Sequence, residues 1–238
     1  MKILNPEQHR LMVTNHLNSL FSRHEFFLNK ILECCSETKK NWGTPQEDKM
    51  PELNHYFDAY LNSFQSIKDS LETALNEKID WSVFFEDIRY GKFMKEARNA
   101  STHDGYSIIN STIDGKYYIY KDIMRLHYKK LIIIDVPNED IEYICAHFSY
   151  YLFNKIKNLL SKNKSSLPKS SIEDIKNHLD PNSFKVLIPE EVKSMMNNAF
   201  ENDELINKIH EIVTQNNAEN EYSSINNILN ICKKYINI

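Results

Sequence analysis

The sequence of 238 residues is poor in the residue types that make tight turns, since it contains only 4 glycines and 7 prolines. A protein built from many short strands needs many turns, and glycine and proline supply a large share of them. Their scarcity argues against an all-β protein and favours long helices. Hydrophobic residues make up 41% of the chain and charged residues 26%, which is a globular composition and excludes a disordered chain.

The sequence also lacks cysteine pairs and long apolar runs. Its four cysteines, Cys34, Cys35, Cys145 and Cys232, include no C-x-x-C pair, so neither a zinc site nor a disulfide framework is expected. The longest strongly apolar run, "LIIIDV" at 131–136, is too short to cross a bilayer, and the first residues lack a signal peptide's apolar stretch. We expect a reduced, cytoplasmic protein with no membrane-spanning segment, no metal and no cofactor.

The formal net charge of −4 does not by itself favour a nucleic-acid partner, but the basic residues are concentrated. Residues 89–98 carry four basic residues against one acid, and residues 115–130 carry five against one. These two segments are expected to attract an anion. The five lysines of residues 155–169 are typical of a solvated linker, whereas acids predominate in residues 189–221.

Apolar residues spaced three and four apart predict four long helices, over residues 6–39, 53–75, 80–100 and about 138–159. His24 lies within the apolar stripe of the first helix. Asp80 and Asn138 are expected to cap the third and fourth helices, and Gly91 is expected to kink the third. The fold class is therefore mainly α, a helical bundle.

A small antiparallel β insertion is predicted at about residues 106–136. Asp114-Gly115 indicates a two-residue hairpin turn, and "HYKKLIIIDVP" indicates a third strand of the same sheet. The sequence predicts two domains: residues 1–162 form the bundle with this insertion, and residues 163–238 form a linker and an acidic helical appendage. That appendage could cover a basic site, bind a partner or form solvated surface.

The segment "KEARNASTHDGY", residues 95–106, places Arg98, Asn99 and His103 within six positions at the end of the third predicted helix. In a continuous helix, Arg98 and His103 would be about 140° apart and about 7.5 Å apart along the axis. Asp104-Gly105 can end the helix there, because glycine readily adopts the left-handed conformation. We therefore expect the three side chains to converge at an exposed helix end.

The hexapeptide "RNASTH" at 98–103 resembles the R-x4-6-H signature of the HEPN superfamily (higher eukaryotes and prokaryotes nucleotide-binding), and the likeness extends over roughly residues 5–162. The resemblance implies a helical bundle that dimerises so that two motifs share one cleft. It also implies metal-independent RNA cleavage in bacterial defence or toxin–antitoxin systems, although other members only bind nucleotides or partners. One toxin branch continues the motif as H-x-Y; here Tyr106 lies one position later, so that branch's properties are not carried over.

The chemistry expected of this segment follows from its residue types. RNA carries its own nucleophile, the 2′-hydroxyl, so cleavage needs a proton acceptor or donor and a fixed positive charge. His103 can exchange protons near neutral pH, Arg98 can hold the phosphate, and Asn99 can orient either group. The expected product is a 2′,3′-cyclic phosphate. A homodimer would supply the second histidine that acid–base cleavage uses.

Four further residues are expected to bind RNA: Lys95, Lys92 and Arg89 along the phosphate backbone, and Tyr106 by stacking on a base. A purely structural alternative remains open, in which Arg98 pairs with Glu96 or Asp104 and His103 only caps the helix. Two functional alternatives are a catalytically inactive module that binds RNA, a nucleotide or a protein such as an antitoxin or regulator, and an assembly protein. A second pair of similar spacing, Arg10 and His16, falls inside one long helix and is expected to be a coincidence.

Overall fold

The computed structural model describes residues 5–45, 47–127, 129–180, 187–219 and 222–236. Within them the chain is mainly α-helical with small antiparallel β elements, which confirms the predicted fold class. The helices are α1 (Pro6–Lys40), α2 (Met50–Leu75), α3 (Trp81–Glu86), α4 (Gly91–Asp104), α5 (Ile141–Lys162), α6 (Ile172–Leu179), α7 (Glu190–Glu201), α8 (Asp203–Glu219) and α9 (Ser223–Lys233), with a short 3-10 turn at Lys164–Ser166. The strands are β1 (Ser111–Ile113), β2 (Lys116–Tyr118), β3 (Ile123–His127) and β4 (Lys130–Ile134). No helix among the described residues is both long and apolar enough to span a bilayer.

The described residues form two compact units. The larger unit takes in Val13–Ser166 together with α9, and the smaller takes in the chain up to Met12 and the region from Leu167 through α8. Within the smaller unit, α6, α7 and α8 pack on one another, and Lys176 Nζ binds Asp203 Oδ1 at 2.6 Å. The sequence-based division after residue 162 grouped α9 with the acidic helices, whereas α9 packs on α5 in the larger unit.

Helix α2 forms the centre of the larger unit, as its long apolar stripe predicts. Phe57, Tyr60, Leu61 and Leu71 are fully or almost fully buried along it. Phe64 of α2 makes edge-on ring contacts with Phe85 of α3 and Phe148 of α5, at centroid distances of 5.7 and 5.3 Å. Aromatic packing of this kind, added to the apolar area removed from water, fixes α3 and α5 against α2.

One buried histidine joins three helices of the larger unit. His24 of α1 lies with its Nδ1 2.7 Å from Ser63 Oγ of α2 and its Nε2 3.0 Å from Ser149 Oγ of α5. The hydroxyl of Tyr60 also lies 2.8 Å from Ser149 Oγ. Burial lowers the pKa of His24 to about 3, so the ring is neutral at physiological pH.

The third predicted helix is broken into two, not kinked. Asp80 caps α3 as predicted, because its Oδ1 accepts the N–H groups of Ser82 and Val83. However, α3 ends at Glu86 and α4 begins at Gly91, after Tyr90 with φ 63°. A Cβ on Gly91 would lie 2.4 Å from the carbonyl oxygen of Phe85, so only glycine fits where the chain turns back.

The β insertion consists of two hairpins, so the prediction of one sheet with a third strand was wrong. The Asp114-Gly115 turn joins β1 and β2 as predicted, with positive φ at both residues. The predicted third strand corresponds to β4, which pairs across the turn at Lys129 with β3, a strand that the sequence did not predict. In the described part of the chain each hairpin is a separate two-stranded sheet. Asp140, not Asn138, caps α5, since its Oδ1 accepts the N–H of Tyr143.

The buried histidine makes stability depend on pH in a defined direction. The unfolded chain binds a proton on His24 below about pH 6.5, whereas the folded chain, with a pKa of about 3, does not. The stabilisation is therefore complete above pH 6.5 and is lost as the pH falls. We expect the free energy of unfolding to fall by about 2 kcal/mol from His24 alone between about pH 7 and pH 5.

Chemical denaturation at the two pH values measures this change, with each variant compared only with itself. His24→Gln, which cannot titrate, should reduce the pH-dependent loss by about 2 kcal/mol relative to the wild type. His16→Gln, at an exposed position of the same helix, is the matched control and should retain the wild-type loss. An unaltered pH dependence in His24→Gln would contradict the assignment.

Candidate functional site

Helix α4 carries the RNASTH segment and is held against α2. Its buried residues are Gly91, Phe93, Met94, Ala97 and Ala100. Beyond them, Ser101 Oγ donates to Asp58 Oδ1 at 2.6 Å, and Thr102 Oγ1 donates to Asn62 Oδ1 at 3.1 Å. These bonds to α2 fix the rotation of the last turn of α4 and therefore decide which of its residues face solvent.

The helix ends after Asp104, as predicted. Gly105 adopts the left-handed conformation with φ 64°, and its N–H donates to the Ser101 carbonyl. However, Arg98 and His103 both lie inside the helix, so their backbone positions remain about 140° apart. The expected convergence through an early helix end is therefore wrong, because the chain leaves the helix only after His103.

Arg98 is hydrogen-bonded to its neighbour Asn99 instead. Arg98 Nη1 donates to Asn99 Oδ1 at 3.3 Å, and Asn99 lies one turn before His103, only about 40° away around the helix. This hydrogen bond directs the Arg98 guanidinium around the helix, toward the side of α4 on which His103 lies. Arg98 Nε is buried and has no hydrogen-bond partner. His103 is exposed, and within the described chain its ring makes no hydrogen bond.

Arg98 does not pair with Glu96 or Asp104, although the purely structural alternative expected it to pair with one of them. Glu96 and Asp104 both pair with Arg125 of β3, whose Nε lies 2.7 Å from Asp104 Oδ2 and whose Nη1 lies 3.9 Å from Glu96 Oε2. Arg125 is buried between α4 and its own hairpin. As a result, no carboxylate of the described residues neutralises Arg98.

Lys92 and Lys95 extend the exposed side of α4. On helical geometry these two residues, Asn99 and His103 fall within about 80° of one another over roughly 16 Å. Neither lysine forms an ion pair with any residue that the structure describes. We refer to Lys92, Lys95, Asn99 and His103 as the α4 stripe. Hydrogen bonds from the first turn of α3 lower the pKa of the Asp80 carboxyl, and the nearby ammonium of Lys95 lowers it further. The stripe carries two ammonium groups, an amide and an imidazole, a combination that suits a polyanion.

The other two residues predicted to bind RNA lie off the stripe. Arg89 precedes the break before α4, and its Nη2 lies 3.6 Å from Glu139 Oε1. Its guanidinium also lies 5.1 Å from the ring centroids of both Tyr90 and Tyr143. Tyr106 follows the α4 cap with an exposed side chain. The structure therefore engages Arg89 with an acid and two rings, and leaves Tyr106 accessible beside the helix end.

A second cluster of titratable groups escaped the sequence analysis. His147 of α5 is 4% exposed, and both of its ring nitrogens are buried without a partner. Its ring centroid lies 4.0 Å from that of Tyr143, and burial together with nearby Arg89 lowers its pKa. Burial also raises the pKa of neighbouring Tyr90 to about 12. The only sequence signal was the spacing of Tyr143, His147 and Tyr151 at successive helical turns, which is equally typical of a packed face.

Metal ligands are not gathered anywhere in the described ranges, since no three His, Cys, Asp or Glu side chains lie close enough together to hold an ion. The four cysteines are buried and unpaired, and burial raises the pKa of each thiol.

Comparison with models of known protein families finds no match to the chain, and neither a curated protein nor a solved structure matches it. The likeness to the HEPN superfamily therefore rests on the R-x4-H segment and on the helices around it.

Proposed function

We propose that the chain is a metal-independent endoribonuclease whose active site is formed where the α4 stripes of two copies face each other. One observation carries the proposal. Arg98 is bound to Asn99, one turn before the exposed imidazole of His103, while Arg125 occupies the two acids that could have neutralised it. Phosphodiester cleavage without metal requires a positive charge that no acid neutralises and an accessible imidazole, and the last turns of α4 carry both.

The proposed reaction is an internal transfer within the RNA. One imidazole removes the proton of a 2′-hydroxyl, and the 2′-oxygen attacks the adjacent phosphorus. The bond to the 5′-oxygen breaks, and that oxygen takes a proton from a second imidazole. The products are a 2′,3′-cyclic phosphate and a 5′-hydroxyl end. Arg98 stabilises the charge on the non-bridging phosphate oxygens, and Asn99 holds the guanidinium in place.

The proposal includes two copies because the reaction uses two imidazoles and the α4 stripe of one copy carries only one, that of His103. Twofold symmetry would bring the second His103 opposite the first, so that one ring acts as base and the other as acid. Lys92 and Lys95 would then continue the cleft along the RNA backbone. On the HEPN resemblance we place the activity in bacterial defence or a toxin–antitoxin system in the cytoplasm, with an antitoxin or regulatory protein as a possible further partner.

A second candidate function is RNA binding without cleavage. It is favoured by the angle of about 140° between Arg98 and His103 around the helix. RNA binding does not require these two side chains to meet, whereas cleavage requires a second copy to bring an arginine and a histidine to the same phosphate. The lysines of the α4 stripe serve both functions equally.

Cleavage of mixed RNA in excess EDTA is the first test of the proposal. We expect the full-length protein to produce cyclic-phosphate ends, and we expect Arg98→Ala and His103→Ala each to reduce the rate by about 100-fold or more. A substrate with 2′-O-methyl groups throughout should resist cleavage, because its nucleophile is blocked. Gel analysis of end-labelled RNA measures all three outcomes.

The matched controls are Arg23→Ala and His16→Ala, which remove an exposed arginine and an exposed histidine from α1. Both should cleave at the wild-type rate. Cleavage that survives in Arg98→Ala and His103→Ala would rule out the assigned site, while tight RNA binding without cleavage by the wild type would favour the second candidate.

Mixing experiments test the requirement for two copies. Wild-type protein equilibrated with a large excess of His103→Ala should lose activity per wild-type chain by about tenfold or more, because each wild-type motif then faces a copy without an imidazole. The same excess of His16→Ala should leave the activity unchanged. Undiminished activity with His103→Ala would show that one copy suffices.

A further inference from the structure

The hairpin of β3 and β4 presents an unusual outer face. In its register Met124 lies opposite Ile133 and Leu126 lies opposite Leu131, so the four side chains form two adjacent cross-strand pairs on one face. All four are 57–69% exposed. The inner face holds the buried residues Ile123, Arg125 and Ile134. We call Met124, Leu126, Leu131 and Ile133 the outer hairpin face.

Such a face is not the normal exterior of a small sheet. Antiparallel strands with one side on a core usually alternate between apolar inward and polar outward residues. Here the outward side is apolar as well, and its apolar residues are continuous over two rungs. Proteins normally protect exposed apolar strands because they associate with other chains. By contrast, Val83 of α3 is a single exposed apolar residue of similar exposure, which needs no explanation.

The charges at the two ends of the outer hairpin face are opposite in sign. Lys129 lies at the turn between the strands and is exposed. Asp122 precedes β3 and Asp135 follows β4, and strand alternation continues both onto the outer side. Asp122 Oδ1 accepts the N–H of Val136, whereas Lys129 and Asp135 form no ion pair in the part of the chain that is described. The surface thus runs from positive at the turn, over two apolar rungs, to negative at the base.

We propose that the outer hairpin face is a self-complementary surface on which a second copy of this chain docks, with the two hairpins packed face to face and antiparallel. The twofold axis lies between the hairpins and crosses the strands. Each Leu126–Leu131 rung then packs on the Met124–Ile133 rung of the other copy, and each Lys129 meets the Asp135 of the other copy. The alternative parallel packing would place Lys129 against its own symmetry mate, which charge repulsion disfavours.

The area agrees with a dimer that depends on concentration. A buried aliphatic side chain of this size corresponds to on the order of 100 Å² of apolar surface, so four from each copy bury roughly 800 Å² together. Stable interfaces bury about 1,600 Å² in total, of which a polar rim supplies a share. The apolar rungs therefore provide about half of a standard interface, and the Lys129–Asp135 contacts belong to its rim.

This surface is separate from the cleft of the proposed nuclease. The acids that bind Arg125 mark the side of α4 that the hairpin contacts; on helical geometry Glu96 borders the α4 stripe, and Asp104 lies about 140° from the middle of the stripe. The outer hairpin face and the α4 stripe share no residue, so a copy docked on the hairpin uses different side chains from the proposed cleft. The inference therefore goes beyond the proposed function, and a chain that used both surfaces would assemble beyond a dimer.

Sedimentation equilibrium of the full-length protein over a range of concentrations tests whether the apolar side chains of the outer hairpin face drive association. The wild type should associate, and Leu126→Gln combined with Leu131→Gln should weaken the association by about tenfold or more. Val83→Gln, an equally polar change at an isolated exposed position, is the matched control and should associate like the wild type. Thermal melting of each variant checks that its fold is unchanged.

A charge exchange tests the antiparallel arrangement. Lys129→Glu and Asp135→Lys should each weaken association, because each creates two like-charge contacts across the twofold axis. The double variant Lys129→Glu/Asp135→Lys should restore association, since both contacts become attractive again. Failure of the double variant to recover, or an association constant unaffected by the Leu126/Leu131 change, would overturn the proposal. A wild type that stays monomeric at every concentration would also overturn it and assign the face to a different partner. The proposed nuclease also pairs two copies, through the α4 stripe, so association of the wild type alone does not separate the two proposals. The difference between the Leu126/Leu131 variant and Val83→Gln reports on the outer hairpin face only.

Discussion

The ion pairs of Arg125 are the interaction on which the rest of this region depends. A buried guanidinium is tolerated only if nearby anions compensate it, and here Asp104 and Glu96 of α4 do so. The same contacts hold the β3–β4 hairpin against α4, with the outer hairpin face directed away from α4. They also engage the two acids that lie nearest to Arg98 in the sequence, so that neither acid pairs with Arg98. One residue of the β insertion therefore sets both the electrostatics of the α4 stripe and the orientation of the outer hairpin face.

Much of the fold could be predicted from local patterns. The stripe of α2, the cap at Asp80 and the turn at Asp114-Gly115 each depend on residues within a few positions of one another, and the structure contains all three. The break before Gly91 depends on close approach to the Phe85 carbonyl, and β3, the strand that pairs with β4, was not predicted at all. The packing of α9 on α5 joins segments far apart in the sequence, so no local pattern could indicate it.

The candidate site, like the fold, could be predicted from the sequence only in part. The residues of the RNASTH segment and the helix end at Gly105 could be read from the sequence. Their spatial relation could not, because it depends on one further turn of helix and on a side-chain bond from Arg98 to Asn99. Arg125, the partner of Glu96 and Asp104, lies more than twenty residues away in the sequence, in β3, a strand that was not predicted. Long-range charge pairing is thus the information that the local reading lacked.

The buried histidine has a consequence for where its protons lie. Ser63 Oγ lies within reach of the Tyr60 carbonyl as well as of the ring, and the Tyr60 hydroxyl lies within reach of the Cys145 carbonyl as well as of Ser149. Each hydroxyl carries one proton, so the protons of the network move together. When Ser63 donates to the Tyr60 carbonyl, His24 is protonated at Nδ1 and Tyr60 donates to Ser149. When Tyr60 donates to the Cys145 carbonyl, His24 is protonated at Nε2 and Ser63 donates to Nδ1. In both arrangements the hydroxyls and the imidazole tie α1, α2 and α5 together without a formal charge.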